Sequence, residues 1–503
     1  MDGAGDLSKG AAGRDPYSIA GKFKAPDQRF DVVVVGAGSA GATAAIAAAE
    51  GGSSVLLVDE NPVSAGLAGL DVPLYFGGRA TAALHNKGRM LEQIVSTDPM
   101  IEAAFEAGVE VMLGTSVWGA FVKGPGSNAL PGPVVGLADE ERSWLCGFDR
   151  LIVATGARDL VVSFQGWDQP GVMGAAALQT LLTRYQAFAG RRVVVLGSGD
   201  VALKTALAAL EHGVEIAALV EVRDRPQGDP ALVDQIQAAG VPILTAHVVL
   251  EAHGGVDGVE RITLASTADP AARVEILCDT ICEAIGLVPV IELLNVLGAD
   301  LRYDGALGGH VPVLGEDGAA GIPGVTVIGD GAGVASDETY ALDWMRALMA
   351  ASDPSVIVCQ CEDVTREALL GVKQPAYLGP PSPGMARRDL HDVAADGPVN
   401  QDQMKRLTRV CMGPCQARRC REQVAMMLAL ATDTPLAAVP LAGYRAPVRP
   451  LPLSVLADWR EDAEMSGGWD VWFGIPSQWI PYDDIGSERE AMHIAALGGN
   501  MHL

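Results

Sequence analysis

A glycine-rich turn near the beginning of the chain limits the possible folds more than any other feature. The run Asp31–Val35 is β-branched after its first residue, which predicts a buried parallel strand, and an alanine-rich helix is predicted over 42–50. The glycines between them allow a tight turn, close approach of the backbone to a pyrophosphate, and close packing of helix on strand. The sequence therefore predicts a dinucleotide-binding βαβ unit that contacts its cofactor through Gly36, Gly38, Ser39, Ala40 and Gly41.

The next predicted strand, Val55–Val58, ends at two acidic residues. Asp59 follows Gly36 at the distance where a carboxylate can accept hydrogen bonds from the ribose hydroxyls of a bound dinucleotide. We predict Asp59 as the ribose ligand and keep its neighbour Glu60 as a second candidate. The alternative for Glu60 is a solvated loop carboxylate.

A second unit of the same kind begins at Arg192. An apolar strand leads into Gly-Ser-Gly-Asp-Val-Ala, an Ala/Leu-rich helix and another strand, Glu215–Val220, and Ala202 is permitted in place of the third glycine. The acid after this strand favours a nucleotide with a free 2′-hydroxyl over one with a 2′-phosphate. The predicted nucleotide contacts are Gly197, Gly199, Asp200 and Glu221; the alternative is a packing domain that binds no nucleotide.

Two further strand–turn segments resemble motifs of two-dinucleotide-binding flavoproteins. The first places Ala154, Thr155 and Gly156 after an apolar strand, and the second places Gly329 and Asp330 after Val325–Ile328. In the flavoproteins that the chain resembles, the equivalent acid meets the ribityl–phosphate part of FAD. The alternative for Asp330 is a cap on its own turn.

Four cysteines late in the chain form two close pairs, Cys359 with Cys361 and Cys415 with Cys420. On extended backbone the first spacing puts both thiols on one side, and a helical turn would bring the second pair together. Gly413-Pro414 predicts a helix start, with Cys415 near its N-terminus. Four soft ligands predict a [2Fe–2S] cluster, with zinc and free thiols as alternatives.

Three segments of this region carry a family resemblance. They are Cys359-Gln-Cys-Glu-Asp-Val-Thr365, Lys405-Arg-Leu-Thr-Arg409 and Met412-Gly-Pro-Cys-Gln-Ala-Arg418. They resemble the BFD-like [2Fe–2S] module fused to alpha subunits of opine, hydroxyproline and hydrogen-cyanide-producing dehydrogenases. Where that family usually has Gly this chain has Cys411, which we interpret as a non-ligand.

The resemblance covers nearly all of residues 30–455 and implies a hetero-oligomeric enzyme. A companion FAD-dependent, amine-oxidase-like beta subunit would oxidise the C–N bond of an amine or imino acid, and a small gamma subunit is a further candidate partner. Electrons would cross an interfacial FMN to this chain's cluster and FAD, and the second domain would hold NAD, ATP or nothing. Basic residues near the cysteines are candidates to dock a flavin phosphate or tune the cluster, or they form a solvated helix face: Lys405, Arg406, Arg409, Arg418, Arg419 and Arg421.

The expected fold class is α/β, with two dinucleotide-binding domains as in glutathione and thioredoxin reductases. A small α-helical BFD-like domain and a C-terminal extension follow them. The predicted segments are an N-terminal arm (1–30), the FAD-binding domain (31–160 and 286–354), the second nucleotide-binding domain (161–285), the [2Fe–2S] domain (355–430) and the extension (431–503). The extension contains Trp459, Trp469, Trp472 and Trp479, which predict packing on a partner subunit or back on the flavin domain.

Composition excludes several classes of function. A net charge of −26 argues against a nucleic-acid partner, and no apolar run is long enough to predict a membrane span. The start lacks the pattern of a signal peptide, and thiol ligands need a reducing compartment, so a cytoplasmic location is expected. Residues 61–145 contain no Cys-x4-Cys dithiol, which argues against a disulfide reductase of the usual kind.

No arrangement of His, Ser or carboxylate residues predicts a catalytic group in this chain, so its chemistry is assigned to cofactors. The first hypothesis is an electron-transferring dehydrogenase subunit. The second is a standalone NAD(P)H-dependent flavin/iron–sulfur reductase. The third is a non-catalytic scaffold that holds nucleotide and cluster.

Overall fold

The first glycine turn lies at the centre of a mixed seven-stranded sheet. The computed structural model describes residues 25–62, 79–122, 132–269, 271–380, 382–457 and 486–491. The sheet order is β3-β2-β1-β6-β5-β4, parallel from β3 to β6 and antiparallel beyond. Its first elements are β1 (Gln28–Val35), α1 (Ser39–Glu50), β2 (Val55–Asp59), α2 (Lys87–Thr97), α3 (Pro99–Glu106), β3 (Glu110–Leu113), β4 (Ser116–Phe121), β5 (Val134–Ala138) and β6 (Ser143–Val153).

Strand β1 is buried on both faces, as its β-branched sequence predicts. Val32 and Val34 pack with Ala42 of α1 on one face, while Val33 packs with Phe148 on the other. Alternate side chains of a strand point to opposite faces, so one run of valines supplies both cores. This packing fixes the end of β1, and with it the position of the glycine turn.

The second domain contains two sheets. A parallel sheet has the order β11-β10-β9-β15-β8, and an antiparallel sheet has the order β12-β13-β14. A π-helical turn follows α4 at Thr180–Arg184. The elements are β7 (Ala157–Asp159), β8 (Val172–Gly174), α4 (Ala175–Gln179), β9 (Arg192–Leu196), α5 (Asp200–Glu211), β10 (Glu215–Val220), α6 (Pro230–Ala238), β11 (Ile243–Leu244), β12 (His247–Gly255), β13 (Gly258–Ser266), β14 (Arg273–Leu277) and β15 (Thr280–Glu283).

The chain then returns to the first domain. Strand β16 pairs antiparallel with β7, which makes a two-stranded connection between the domains, and β19 joins the first sheet parallel to β6. The predicted helix over 336–350 is present as α8. The returning elements are β16 (Leu287–Pro289), α7 (Glu292–Leu297), β17 (Leu301–Asp304), β18 (Gly309–Pro312), β19 (Val325–Val327) and α8 (Glu338–Ala351).

The cysteine module packs directly on the two nucleotide-binding folds. Val358 and Met427 of the module share one continuous core with Trp344 of α8 and Ile262 of β13. Because the module shares this core with the two nucleotide-binding folds, it is held in a fixed position against them. Its elements, with the helix that follows it, are β20 (Ile357–Cys359), β21 (Val364–Thr365), α9 (Arg366–Leu370), α10 (Pro383–Arg387), α11 (Leu390–Asp396), α12 (Gln401–Thr408), α13 (Arg421–Ala431) and α14 (Leu453–Ala457).

The described part of the C-terminal extension packs on the flavin domain. Tyr444 and Val448 belong to the core of the first sheet, and the Val448 N–H donates to the carbonyl of Trp118 at 2.7 Å. The prediction for the four tryptophans concerns residues outside the described ranges, as do most of the arm and the segment 63–78. Within the described ranges, every helix is too short or too polar to cross a lipid bilayer.

Two buried acids lie at the connection between the domains. Asp159, at the end of β7, and Glu283, at the end of β15, are fully buried. Burial raises the pKa of Asp159 to about 7, although backbone N–H groups of Ala176 and its neighbours lower it. Burial also raises the pKa of Glu283 well above its usual value, and the charge of Asp159 adds to the shift.

These acids predict a stability that falls as the pH rises. Between about pH 4 and pH 7 the folded chain keeps a proton on Asp159 that the unfolded chain has released, so folding becomes less favourable across that interval. The penalty is of the order of 4 kcal/mol at full ionisation. Asp159→Asn should therefore raise the unfolding midpoint at pH 8 by about 2–4 °C per kcal/mol recovered, with roughly a third of that gain at pH 5.

The measurement is thermal unfolding of wild type and variant from pH 5 to pH 8. Exposed Asp149→Asn is the control, because that carboxylate pairs with Arg29 at the surface. An Asp159→Asn effect of equal size at both ends of the range would contradict the assignment.

Candidate functional site

The three glycines of the first turn have different steric surroundings. Gly36 has φ +106°, and a Cβ there would overlap the carbonyl oxygen of Ala154. A Cβ on Gly41 would overlap the carbonyl oxygen of Gly36. Gly38 is different, because no described atom lies within 4 Å of the position its Cβ would take. The turn is thus tightly packed at its two ends and open at its middle glycine.

A cavity of about 240 Å³ opens on this turn. It lies between the first sheet, the π-helical turn of the second domain and the C-terminal extension. Residues from five separate parts of the sequence form its wall: Gly36, Gly38, Asp59, Glu60, Thr155, Gly156, Arg184, Glu292, Val448 and Arg449.

The two candidate ribose acids both line the cavity but have different partners. One oxygen of Asp59 accepts from the N–H of Ala37 at 2.6 Å, and the other accepts from the N–H of Asn61 at 2.7 Å. Glu60 accepts from Nε of Arg449 at 2.8 Å. Although burial raises the pKa of Glu60, Arg449 and Arg418 hold it below its usual range. Asp59 therefore braces the turn, and which acid would meet a ribose stays a prediction.

Sequence reasoning missed two cationic residues of this cavity. Arg449 lies far along the chain from Glu60, and no local motif links the two positions. Arg184 lies 4.0 Å from carboxylate oxygens of Asp59 and Asp98, and among the described residues its Nε and Nη2 find no hydrogen-bond acceptor. Buried guanidinium N–H groups without acceptors suit an anionic ligand such as a diphosphate.

The other predicted flavin contacts also reach this site. A Cβ on Gly329 would lie 3.1 Å from Cβ of Ala40, so the turn that carries the exposed Asp330 borders the first turn of α1. The hydroxyl of Thr155 donates to the carbonyl of Val290 at 2.9 Å. The structure thus brings together the three motifs that sequence analysis assigned to FAD, and their open glycine, cationic wall and acidic edge fit a dinucleotide.

The second glycine turn has the same backbone but a different environment. Gly197 has φ +111°, and its Cβ would lie 2.7 Å from the carbonyl oxygen of Ala284. The predicted ribose acid Glu221 is fully buried and accepts from the hydroxyls of Ser198 and Tyr340. Asp200 begins α5 and accepts from the N–H of Asp229 at 2.8 Å.

The four predicted metal ligands lie together as two thiol pairs. The pKa of the Cys359 thiol depends on Cys420, and the pKa of the Cys361 thiol depends on Cys415, so each pair is close enough to interact. None of these four cysteines forms a disulfide bond within the described chain. In the described chain, no set of three or more His, Cys, Asp or Glu side chains is already arranged around a metal position.

The predicted helix start at Cys415 is wrong. Gln416 and Ala417 both have positive φ, so the chain makes turns there, and α13 begins only after Cys420. Cys415 still receives backbone N–H groups. The thiol of Cys361, with the N–H groups of Arg419 and Ala417, lowers its pKa to about 6 despite burial. Turns with left-handed residues can direct successive N–H groups at an anion, as a helix N-terminus does.

Cys411 contributes a fifth sulfur to this region. Its Sγ lies 3.6 Å from Sγ of Cys420, so Cys411 lies directly beside a predicted ligand. Its exclusion from the ligand set remains a prediction.

The basic residues of the module form two groups. Arg418, Arg419 and Arg421 are buried, and burial lowers the pKa of Arg418 well below its usual value. The other three belong to or directly follow α12: Lys405 is half-buried, Arg406 is exposed, and Arg409 binds Glu362 at 2.6 Å. Arg421 lies over the ring of Tyr444 at 3.3 Å, and among the described residues its Nε and Nη1 have no acceptor. Buried cations beside four thiols suit an anionic centre.

One ion pair joins the module to the nucleotide cavity. Arg158 follows Gly156 by two residues, and Glu422 follows Cys420 by two residues. Nη2 of Arg158 lies 2.7 Å from Glu422, and its Nε lies 3.6 Å from Glu292 on the cavity wall. The pair links the cavity and the cysteines by a short route of partly buried side chains.

The fold and the site define a flavoprotein oxidoreductase with two dinucleotide-binding domains. The chain belongs to the pyridine nucleotide-disulphide oxidoreductase family, whose model matches residues 30–352, and residues 384–459 match the sarcosine oxidase A3 domain. It is a FAD-dependent oxidoreductase.

Similar proteins narrow the relationship. The opine oxidase subunit of Agrobacterium tumefaciens (strain Ach5) is 25% identical over 470 residues, which cover 85% of this chain and 91% of that protein. Hydrogen cyanide synthase subunit HcnB of Pseudomonas aeruginosa is 24% identical over 444 residues, or 77% and 90% of the two chains. L-proline dehydrogenase from P. horikoshii shares the fold, with a TM-score of 0.55, 19% identity and coverage of 85% and 80%. The two relatives confirm the resemblance to opine oxidase and hydrogen cyanide synthase subunits drawn from the sequence motifs, and the [2Fe–2S] module remains a prediction.

Proposed function

We propose that this chain is the electron-transferring alpha subunit of a hetero-oligomeric dehydrogenase, with FAD in the first domain and a [2Fe–2S] cluster on Cys359, Cys361, Cys415 and Cys420. The observation that carries the proposal is the direct packing of the cysteine module on the flavin domain through Arg158 and Glu422. A centre held so near the cavity can exchange electrons with a cofactor bound there. The Agrobacterium and Pseudomonas relatives are both named as subunits, which supports an assembly.

The residues present fit both cofactors. Among the described residues, Gly38 leaves space where a pyrophosphate would approach, and Arg184 offers an anion two nitrogens, Nε and Nη2, that have no hydrogen-bond acceptor. At Cys415, the thiol of Cys361, the N–H groups of Arg419 and Ala417 and the charge of Arg419 favour the thiolate. When bound, FAD exchanges one or two electrons and a [2Fe–2S] cluster exchanges one, so the pair can divide a two-electron input into single steps.

The substrate belongs to the partner in this proposal. The Agrobacterium relative is named for opine oxidation and the matched late domain for sarcosine oxidation, so an amine or imino acid with an oxidisable C–N bond is the proposed substrate class. The partner is an amine-oxidase-like FAD subunit, with an FMN between the subunits and a small gamma subunit in some assemblies. The proposed location is the cytoplasm, because thiols that ligate iron need a reducing compartment.

Cofactor analysis of the anaerobically purified chain tests the proposal. We expect about one FAD, about two irons and about two acid-labile sulfides per chain. Zinc bound at the cysteines would exclude electron transfer through them, because zinc is not redox-active. NADH bleaching of the isolated chain's flavin would favour the standalone reductase, and substrate-driven electron transfer that survives loss of the cluster would favour the scaffold.

A further inference from the structure

We infer that Tyr340 keeps the second glycine turn closed to dinucleotides, and so determines that this chain does not draw electrons from NAD(P)H. The inference deepens the proposed function, because it removes one electron source and leaves the electron supply to the partner subunit. The inference rests on a difference between the first and second glycine turns, whose backbones have nearly identical conformations.

The middle glycines of the two turns have the same backbone conformation but different surroundings. Gly38 has φ −73° and ψ 177°, and Gly199 has φ −74° and ψ 177°. No atom of the described residues faces a Cβ on Gly38 within 4 Å, whereas Cε1 of Tyr340 lies 3.9 Å from the position of a Cβ on Gly199. A bound pyrophosphate has to approach the backbone at this glycine, so the aromatic ring occupies that approach.

The hydroxyl of Tyr340 fills the adjacent ribose position. In the first turn, the N–H of Ala37 donates directly to Asp59. In the second turn, the equivalent N–H of Ser198 donates to the hydroxyl of Tyr340 at 3.0 Å, and this hydroxyl donates to Glu221 at 2.7 Å. The hydroxyl thus stands between the N–H and the acid that sequence analysis assigned to ribose binding.

The surrounding residues hold the ring in place. Tyr340 lies on α8 of the first domain and is 5% exposed. The guanidinium of Arg223 lies 5.1 Å from its ring centroid and binds Asp343 at 2.9 Å and Asp337 at 3.2 Å. Arg223, which follows β10, therefore binds carboxylates and is not available to bind a phosphate.

Two further features oppose a dinucleotide at this turn. The loop after β10 folds onto it, because the N–H groups of Gln227 and Gly228 donate to the side chain and carbonyl of Ser198. Asp200 lies in the first turn of α5, where Ser39 lies in α1. Its negative charge would repel a pyrophosphate at the position where the first domain is neutral.

Calorimetric titration of the flavin-loaded full chain with NADH and with ADP-ribose tests the inference. For wild type we expect no binding tighter than about 1 mM. Tyr340→Ala should bind ADP-ribose at least about tenfold more tightly than wild type, and Tyr340→Ala with Asp200→Ser more tightly still. Tyr340→Phe is the matched control: it keeps the ring and removes the hydroxyl, and should remain closed.

Micromolar binding of NADH or ADP-ribose to wild type would overturn the inference, and this result needs no variant to fold. A Tyr340→Ala chain that retains FAD and a normal unfolding midpoint but gains no affinity would overturn the role of Tyr340. Neither readout involves amine oxidation or iron content, so failure here is distinguishable from failure of the proposed function.

Discussion

A Gly38→Val variant is expected to fold normally and to be purified almost without flavin. The backbone at Gly38 has angles that any residue adopts, and no described atom lies within 4 Å of the new Cβ. The side chain would instead enter the space where a pyrophosphate approaches the turn. We expect affinity for FAD to fall at least about a hundredfold, or ~2.8 kcal/mol, with Gly38→Ala intermediate.

The second turn offers a matched control for this experiment. Gly199→Ala changes a glycine of nearly the same φ and ψ, and its Cβ would make only an ordinary contact with Tyr340. It should keep wild-type flavin content. Flavin release on denaturation and fluorescence titration of the apoprotein give the affinity. Equal flavin loss in the Gly38 and Gly199 variants, or undiminished binding by Gly38→Val, would contradict the placement of FAD at the first turn.

Local sequence patterns predicted the elements around the nucleotide folds well. The valine run before Gly36 and the glycine spacing each depend on backbone sterics and burial within a few residues, so β1 and α1 end where expected, although each begins three residues earlier than predicted. The return of Val325–Val327 to the first sheet agrees with a strand followed by a glycine turn. These are features that short segments determine by themselves.

Features that depend on distant contacts were not predictable in the same way. Gly413-Pro414 has the composition of a helix start, yet the turns that follow bring Cys415 beside Cys361, and tertiary packing overrides the local preference. The partner of Glu60 lies on the C-terminal extension, and the partner of Glu221 lies on α8. A single sequence carries no local signal for either contact.

Substitution of single cysteines should distinguish the cysteines that bind the proposed cluster from Cys411, which we predict does not. If the cluster assignment is right, Cys415→Ser and Cys361→Ser should each lower iron from about two per chain to well below one and remove the visible absorption of the cluster. Cys411→Ser should keep both, although its sulfur lies 3.6 Å from that of Cys420. Buried Cys146→Ser, in the first sheet, is the control for a thiol remote from the site.

A glycine substitution tests the same centre without removing a sulfur. A Cβ on Gly413 would overlap Cβ of Cys361, so Gly413→Ala must displace that proposed ligand while all five thiols remain. We expect reduced iron content with FAD retained, since the first glycine turn is untouched. Iron assays, flavin assays and unfolding midpoints on the same preparations separate ligand loss from misfolding. If Cys415→Ser kept full iron and Cys411→Ser lost it, the fourth ligand would be Cys411 and not Cys415, because the set needs only one of these two sulfurs.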